Sequence, residues 1–202
     1  MSVGLSKNIN VVVAGIIGAG KTQFTRSFSE ITGFKPVFEP IEHDQVLDEF
    51  YRDMKRNSFL LQMHFLGERF RLSQEIGQEK GRIQDRSIWE DKIFAKMLHE
   101  SELMSKTEYD TYNRLFTTLT AKLPLPDLVI YLDVSPEIAL SRVKSRGREY
   151  EKNMSLEYLT QLRNGYNEWI RTMELQTKVI KIDWNHFRPT SDVIVQLQLH
   201  EL

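Results

Sequence analysis

A glycine-rich segment near the amino terminus constrains the fold more than any other part of the chain. Residues 15–22 read Gly-Ile-Ile-Gly-Ala-Gly-Lys-Thr and match the pattern G-x-x-x-x-G-K-[ST]. The segment directly follows an apolar, β-branched run at residues 8–14 and opens a stretch of helical character. A glycine-rich turn without a ligand is the alternative, but the complete pattern between a strand and a helix predicts a phosphate-binding loop.

Each residue type in this loop suits the binding of a nucleotide. Glycines allow backbone N–H groups to curl around phosphate oxygens, and the N-terminus of the following helix adds a positive dipole. We expect the Lys21 ammonium to reach the β- and γ-phosphates and the Thr22 hydroxyl to hold Mg²⁺. The loop residues predicted to bind ATP are Gly15, Gly18, Ala19, Gly20, Lys21 and Thr22.

Short apolar runs alternate with longer helical segments along the rest of the chain. The predicted strands are residues 8–14, 36–39, 81–85, 128–133 and 178–183. The predicted helical segments are residues 21–31, 45–76, 88–123, 136–146 and 156–175. This alternation predicts parallel βαβ units and hence an α/β fold. Since no repeat or Gly/Ser-rich linker interrupts it, we expect residues 1–202 to form a single domain.

The composition excludes several classes of protein. Lys and Arg total 27 and Asp and Glu total 28, and the net charge of −1 argues against a partner that is a nucleic-acid polymer or an anionic membrane. The absence of cysteine excludes disulfides, cysteine nucleophiles and thiolate metal sites, and it fits a reducing compartment. With no signal peptide or long apolar run recognisable, we expect a soluble cytoplasmic protein.

Charged residues end two of the predicted strands. A carboxylate at Glu39 can face the γ-phosphate and accept a proton from an attacking hydroxyl, although a solvated glutamate is the alternative. After the third strand, Asp85 can bind Mg²⁺ and Arg86 can orient the base and the acceptor oxygen; a salt-bridged surface turn is the alternative. Ligands of open parallel sheets bind beyond the carboxyl ends of the strands, so we expect these side chains beside the loop.

Positive charge is concentrated at residues 142–152, which hold five basic and two acidic side chains. Arg142 and Arg146 are four residues apart on a predicted helix that breaks near Gly147, and Arg148 follows. Such a segment suits a lid, at residues 142–154, that closes arginines over a transferring phosphate. A solvated helix end is the alternative.

Together these motifs resemble the deoxynucleoside kinases, most closely those of the bacterial deoxyadenosine type, over residues 11–169. The matching positions are residues 15–22, Glu39-Pro40, Tyr51, Gln62 with Arg69, Asp85-Arg86-Ser87 with Asp91, and Arg146-Gly147-Arg148 with Glu151. The resemblance implies a three-layer P-loop NTPase fold: a five-stranded parallel sheet flanked by helices, with a short arginine-rich lid. It also implies Mg²⁺-dependent transfer of a phosphoryl group from ATP to the 5′-hydroxyl of a deoxynucleoside, and usually a homodimer.

The resemblance further implies a role for each matching residue. The implied catalytic residues are Glu39 as the base on the 5′-hydroxyl, Arg86 as its partner, and Lys21. The implied metal ligands are Thr22 and Asp85, and the implied lid residues that bind ATP are Arg142, Arg146 and Arg148. The implied substrate-binding residues are Glu39, Tyr51, Gln62, Phe65, Arg69, Arg86, Asp91, Phe94 and Glu151. Among them, Tyr51 and Glu151 match the pair that binds the sugar 3′-hydroxyl.

The chemistry of the implied base pocket favours amino-bearing bases. Gln62 and Arg69 are seven residues apart, so on a helix they share one face at a separation of about 10.5 Å, with Phe65 on the same side. A glutamine amide can pair with an adenine or a cytosine edge, whereas the Asp91 carboxylate favours an exocyclic amine and repels the O4 of thymine. The resemblance to the deoxyadenosine type implies adenine first and cytosine second, and guanine comes third because its six-position is an acceptor.

Two other functions remain open at the level of the sequence. A nucleoside monophosphate kinase of the thymidylate type shares the phosphate-binding loop and an Asp-Arg strand end, but it needs a cationic site for the acceptor phosphate. An inactive nucleotide-binding subunit would keep the fold without the reaction. The presence of Lys21, Glu39, Arg86 and Arg148 argues against the inactive subunit.

Overall fold

The computed structural model describes residues 6–38, 45–76 and 79–198. Its strands are β1 (Asn10–Ala14), β2 (Lys35–Val37), β3 (Arg82–Asp85), β4 (Leu128–Asp133) and β5 (Lys178–Asp183). They form one parallel sheet in the order β2-β3-β1-β4-β5. The predicted α/β fold with a five-stranded parallel sheet is therefore confirmed.

Helices flank this sheet. They are α1 (Lys21–Thr32), α2 (Gln45–Arg52), α3 (Met54–Ile76), α4 (Asp91–Glu100), α5 (Lys106–Thr120), α6 (Pro136–Arg146), α7 (Leu156–Met173) and α8 (Thr190–Gln198). Helix α1 packs against α8 and the sheet, whereas α3, α4 and α5 pack against one another and α7 packs against α4 and α6. None of the helices in the described ranges has a stretch both long enough and apolar enough to cross a membrane.

The central strand β1 determines where the functional loops meet. Val13 pairs with Asp85 of β3 on one side and with Ile130 of β4 on the other. Four of the five β1 residues are buried, because helices cover both faces of a parallel sheet. The segments that follow β1 and β3 consequently leave the same edge of the sheet side by side.

Each of the two longest segments of predicted helical character contains two helices, and the second of them has the helix start that Ser105 indicates in the sequence. The 45–76 segment breaks between α2 and α3, where the Asp53 side chain accepts a hydrogen bond from the backbone N–H of Arg56 at 3.1 Å and so caps α3. The 88–123 segment breaks between α4 and α5, where Ser105 and Glu108 form a capping box. Glu102 between these helices is left-handed, with φ of 57°.

The predicted elements lack α8, and the ends of two predicted strands differ from those in the structure. Residues 190–198 contain a β-branched run that does not look helical, yet Val193, Ile194 and Leu197 are buried at helical spacing, which is the signal that could have revealed the helix. Strand β1 begins at Asn10 rather than residue 8, and β2 spans Lys35–Val37.

Candidate active site

The phosphate-binding loop between β1 and α1 requires glycine at Gly18. Its φ of 82° lies in the left-handed region, and a Cβ placed there would come within 2.4 Å of the Ala139 carbonyl oxygen. Helix α6, which carries Ala139, therefore fixes the curvature of the loop from outside. Inside the loop, the Lys21 ammonium donates hydrogen bonds to the carbonyl oxygens of Gly15 at 2.9 Å and Ile16 at 3.1 Å.

Two oxygen-bearing side chains meet beside this loop. The Thr22 hydroxyl, at the start of α1, donates a hydrogen bond to the Asp85 carboxylate at the end of β3. A hydroxyl and a single carboxylate fit Mg²⁺, which takes few protein ligands and completes its shell with phosphate oxygens and water. No group of three or more His, Asp or Glu side chains that could hold a metal occurs in residues 6–38, 45–76 and 79–198.

Arg86 has a strained backbone at the carboxyl end of β3. Its φ of 63° is left-handed, a conformation that costs a non-glycine residue about 1–3 kcal/mol and that occurs most often at functional sites. The backbone N–H of Arg86 donates to the Val13 carbonyl at 3.1 Å. The residue is 6% exposed, and its guanidinium lies over the Phe94 ring, 4.6 Å from the centroid. The turn therefore directs a nearly buried cation to the edge of the sheet.

A cavity of about 350 Å³ opens beside the loop, within the size range of small-molecule sites. It brings together most of the residues that the sequence selects. The predicted site residues that line the cavity are Gly18, Gly20, Lys21, Thr22, Tyr51, Gln62, Phe65, Arg69, Asp85, Arg86, Phe94, Arg146, Arg148 and Glu151. The phosphate-binding loop and the implied nucleoside residues thus share one cavity.

At one end of the cavity, a buried ion pair lies next to aromatic and amide side chains. Arg69 of α3 donates a hydrogen bond to the Asp91 carboxylate at the start of α4, and their side chains are 7% and 1% exposed. The Arg69 guanidinium also lies 4.7 Å from the centroid of the Phe65 ring. Gln62 is buried on the same face of α3. Gln62, Phe65 and Arg69 line this end of the cavity, whereas the predicted base-reading residue Asp91 does not line it and contacts it through Arg69.

The buried face of α3 contains polar residues. The apolar residues Phe59, Met63, Leu66 and Phe70 recur at helical spacing, but of these only Leu66 is fully buried. The buried set is Ser58, Leu61, Gln62, Leu66 and Arg69. Helix α3 thus buries polar residues against the cavity and leaves part of its apolar stripe half-buried.

Near the lid, Glu151 is shared by two arginines. Arg146 Nη2 donates to both Glu151 carboxylate oxygens at 2.7 Å, and Arg148 Nη1 lies 3.8 Å from Oε1. The Tyr51 ring stacks on Tyr150 with centroids 5.7 Å apart. Burial, reinforced by the Tyr158 and Glu151 side chains, raises the pKa of Tyr51 well above its usual value, so its hydroxyl is neutral and able to donate.

Arg142 lies apart from the other two arginines of the predicted lid and does not line the cavity. Its guanidinium donates to the Trp184 carbonyl at 2.8 Å and the Ala19 carbonyl at 3.3 Å, and burial lowers its pKa. It also lies 3.9 Å from the centroid of the Phe187 ring, which is 65% exposed. Arg142 and Phe187 therefore form a flat surface beside the phosphate-binding loop.

Phe187 and Tyr158 are not among the site residues that the sequence predicts. An exposed aromatic residue within the polar run Asn-His-Phe-Arg-Pro is the signal that could have drawn attention to Phe187. Tyr158 of α7 lines the cavity, and burial raises its pKa while the positive charge of Arg86 opposes the shift. The predicted base, Glu39, lies outside the described residues.

A parallel sheet with a glycine-rich loop and a buried lysine after its central strand defines a P-loop nucleoside-triphosphate-binding protein. The deoxynucleoside kinase family model matches residues 11–198, and the chain belongs to that family. The resemblance that the motifs indicate is thereby confirmed.

Two relatives and two solved structures show how far the similarity extends. The chain is 42% identical over 179 residues to a deoxyadenosine kinase of Dictyostelium discoideum, covering 88% of this chain and 73% of the relative. It is 41% identical over 170 residues to a deoxyadenosine/deoxycytidine kinase of Bacillus subtilis, covering 82% of this chain and 78% of the relative. The solved structure of the M. mycoides deoxyadenosine kinase with bound dCTP superposes with a TM-score of 0.85 at 28% identity. This superposition covers 96% of this chain and 100% of that structure's chain. Its structure with bound dATP superposes with a TM-score of 0.85 at 27% identity, covering 95% of this chain and 99% of that structure's chain.

Proposed function

We propose that this protein transfers the γ-phosphoryl group of ATP to the 5′-hydroxyl of a deoxynucleoside, with deoxyadenosine as the preferred acceptor. The single observation that supports this most is the shared cavity, in which Lys21 of the phosphate-binding loop and Gln62 of the base end both contribute to the lining. The relatives named deoxyadenosine kinase support the choice of acceptor.

The base end of the cavity suits a purine with an exocyclic amine. Gln62 offers a donor and an acceptor from one amide, which matches the edge of adenine. Asp91, held by Arg69, accepts hydrogen bonds and disfavours the O4 acceptor of thymine. Phe65 and Phe94 supply flat surfaces on which a base ring stacks. We therefore rank deoxyadenosine first, deoxycytidine second and deoxyguanosine third.

The sugar is proposed to bind between Tyr51 and Glu151. The neutral Tyr51 hydroxyl can donate to the 3′-oxygen, and the Glu151 carboxylate can accept from the 3′-hydroxyl. This arrangement directs the 5′-hydroxyl toward the loop. We propose that Glu39, the residue after Phe38 in the sequence, takes the 5′-hydroxyl proton as the new P–O bond forms and the bond to ADP breaks.

Positive charge around the cavity stabilises the transferring group. Lys21, Arg86 and the lid arginines Arg146 and Arg148 offset the negative charge that spreads over the phosphoryl oxygens. Thr22 and Asp85 are the proposed ligands of Mg²⁺, which neutralises phosphate charge when it is bound. Catalysis in this proposal is mainly positioning and electrostatics.

We assign Arg142 to the donor side of the site. Its guanidinium and the exposed Phe187 ring lie next to Ala19 and Gly20 of the loop, so they can hold the base of ATP, while the other loop residues, Gly15, Gly18 and Thr22, bind its phosphates. The lid in this proposal comprises residues 142–154 of a single domain, residues 1–202.

We also propose a homodimer that works in the cytoplasm, where ATP is available. Helices α3 and α5 pack together and expose Leu60 and Leu115, which are 49% and 36% accessible. Apolar side chains exposed on neighbouring helices favour a second copy of the chain as the partner. Sedimentation of the wild type and of Leu60→Glu tests this: a monomeric wild type contradicts it.

One assay tests the proposed reaction. ADP release is measured with ATP, Mg²⁺ and each of the four deoxynucleosides, and separately with dAMP. The proposal predicts turnover with deoxyadenosine, weaker turnover with deoxycytidine and deoxyguanosine, and poor use of thymidine. Phosphorylation of dAMP but not of deoxyadenosine would establish a nucleoside monophosphate kinase instead. Binding of deoxyadenosine without ADP release would indicate an inactive subunit.

A further inference from the structure

A fully buried carboxylate lies outside the cavity and has none of the roles proposed above. Glu90 is 0% exposed and ends the short 3-10 turn Ile88–Glu90 between β3 and α4. Its Oε1 accepts a hydrogen bond from the Ser87 backbone N–H at 2.9 Å, and its Oε2 accepts one from the Tyr166 hydroxyl at 2.6 Å. A buried carboxylate costs free energy unless its interactions compensate for lost hydration, so its position needs a reason.

Glu90 is connected to Arg86 through the backbone. Ser87, whose N–H the carboxylate holds, is the residue immediately after Arg86. Arg86 has a left-handed φ of 63° immediately after β3. A strained conformation persists only when surrounding contacts determine it, and the Glu90–Ser87 hydrogen bond is such a contact.

Glu90 is also connected to Arg86 through charge. Burial raises the pKa of Glu90, and the positive charge of Arg86 is the largest influence in the opposite direction, followed by hydrogen bonds from Tyr166 and Ser87 and by Lys21. Two accepted hydrogen bonds and two nearby cations favour the ionised carboxylate. Glu90 therefore interacts electrostatically with Arg86, and this interaction opposes the effect of burial.

Tyr166 of α7 completes the support. It is fully buried, stacks on Tyr131 of β4 at 5.9 Å, and contacts the Phe94 ring edge-on at 6.4 Å. Phe94 is the ring on which the Arg86 guanidinium lies. Tyr166 thus holds both the carboxylate and the aromatic surface that Arg86 contacts.

We propose that Glu90 is a positioning residue for Arg86: it fixes the left-handed turn through Ser87 and supplies the charge that orients the guanidinium toward the transferring phosphoryl group. This inference rests on the proposed catalytic role of Arg86. Because Glu90 does not line the cavity, its loss lowers kcat and leaves substrate binding nearly unchanged.

Glu90→Gln removes the carboxylate charge and allows both hydrogen bonds to remain. The amide oxygen of glutamine can accept from the Ser87 N–H, and its amide N–H can donate to the Tyr166 oxygen. We expect kcat to fall about tenfold, KM for deoxyadenosine and ATP to change less than about threefold, and the melting temperature not to fall. Glu168→Gln is the matched control, since Glu168 is another carboxylate that pairs across helices, from α7 to Lys96 of α4 at 2.5 Å, but is exposed; its kcat should equal that of the wild type.

A double-mutant cycle with Arg86→Ala separates positioning from a general structural effect. If Glu90 acts through Arg86, adding Glu90→Gln to Arg86→Ala changes kcat less than about twofold. A tenfold loss in both backgrounds, or no loss in the wild-type background, overturns the proposal. Should Glu90→Gln fail to fold, Tyr166→Phe provides the same cycle, with an expected loss of about threefold that requires Arg86.

The outcomes also distinguish this inference from the function on which it rests. A wild-type protein that phosphorylates no deoxynucleoside contradicts the proposed function itself. An active wild type with normal kcat in Arg86→Ala refutes the role of Arg86 and the positioning role together. An active wild type with a low kcat in Arg86→Ala and a normal kcat in Glu90→Gln refutes the positioning role alone.

Discussion

Arg146 and Glu151 form one ion pair that belongs to both the lid and the proposed sugar subsite. Arg146 donates from Nη2 to both carboxylate oxygens at 2.7 Å, and the Glu151 side chain is only 5% exposed. Charge-assisted, multidentate contacts of this kind are strong and directional. A nucleoside whose 3′-hydroxyl binds Glu151 therefore contacts the group that holds a lid arginine in place.

Glu151→Gln should consequently reduce discrimination at the sugar 3′-position. The amide keeps the shape but weakens the contact with Arg146 and accepts less strongly from the 3′-hydroxyl. We expect kcat/KM for deoxyadenosine to fall about tenfold or more, and the preference over 2′,3′-dideoxyadenosine to shrink by a similar factor. Glu149→Gln, in the same turn but exposed and paired with Lys152, is the control. An unchanged preference in Glu151→Gln would contradict the sugar assignment.

The Arg69–Asp91 pair should contribute differently to stability and to base selection. Arg69→Met deprives a buried carboxylate of this partner and should lower the free energy of unfolding by about 3–5 kcal/mol. Adding Asp91→Leu should restore most of that free energy, because apolar pairs of similar volume pack well in such positions.

Urea denaturation measures the stability of these variants, and turnover with deoxyadenosine and thymidine measures base selection. The double variant should regain stability yet lose the preference for deoxyadenosine. A stable double variant that keeps the wild-type preference would show that the pair does not read the base.

The phosphate-binding loop should tolerate no side chain at Gly18. Gly18→Ala forces a Cβ against the Ala139 carbonyl and requires a left-handed alanine, so ATP binding should weaken at least about tenfold. Gly67→Ala is the matched control, because its Cβ meets nothing within 4 Å on helix α3, and it should raise the free energy of unfolding by about 0.5–1 kcal/mol. Calorimetric titration with ATP and urea denaturation measure the two effects.

Glu39→Gln tests the proposed general base. The amide cannot take a proton, so kcat should fall by about a hundredfold or more while the dissociation constant of deoxyadenosine stays nearly constant. Single-turnover kinetics and equilibrium binding separate the two quantities. A variant with near-normal turnover would remove Glu39 from the mechanism.

The sequence predicts the parts of the site that local patterns encode. The loop at residues 15–22 and the strand end Asp85-Arg86 follow from short motifs next to β-branched runs, and parallel-sheet topology brings them to one edge. The spacing of Gln62 and Arg69 likewise predicts a common helix face, and both line the cavity. These inferences need no knowledge of distant contacts.

The parts that the sequence does not reveal depend on tertiary packing. Nothing in the run Ile-Trp-Glu-Asp shows that Glu90 is fully buried, because its burial results from the position of Tyr166, 76 residues later. The separate position of Arg142 depends on the carbonyls of Trp184 and Asn185 after β5. The break between α2 and α3 depends on one capping side chain within an otherwise helical segment.

Stability against pH provides a last test of Glu90. Burial raises the pKa of Glu90 in the folded protein above its ordinary value of 4.5. The folded state therefore holds this proton to a higher pH than the unfolded state, and Glu90 lowers the stability as pH rises through that interval. Glu90→Gln lacks this loss, so its melting temperature relative to the wild type should increase as pH rises above about 4.5. Glu168→Gln should show no such increase, because Lys96 lowers the pKa of Glu168 and its contribution to stability is lost only as pH falls below about 4.5. Parallel pH profiles for the two variants above about pH 4.5 would contradict a raised pKa of Glu90.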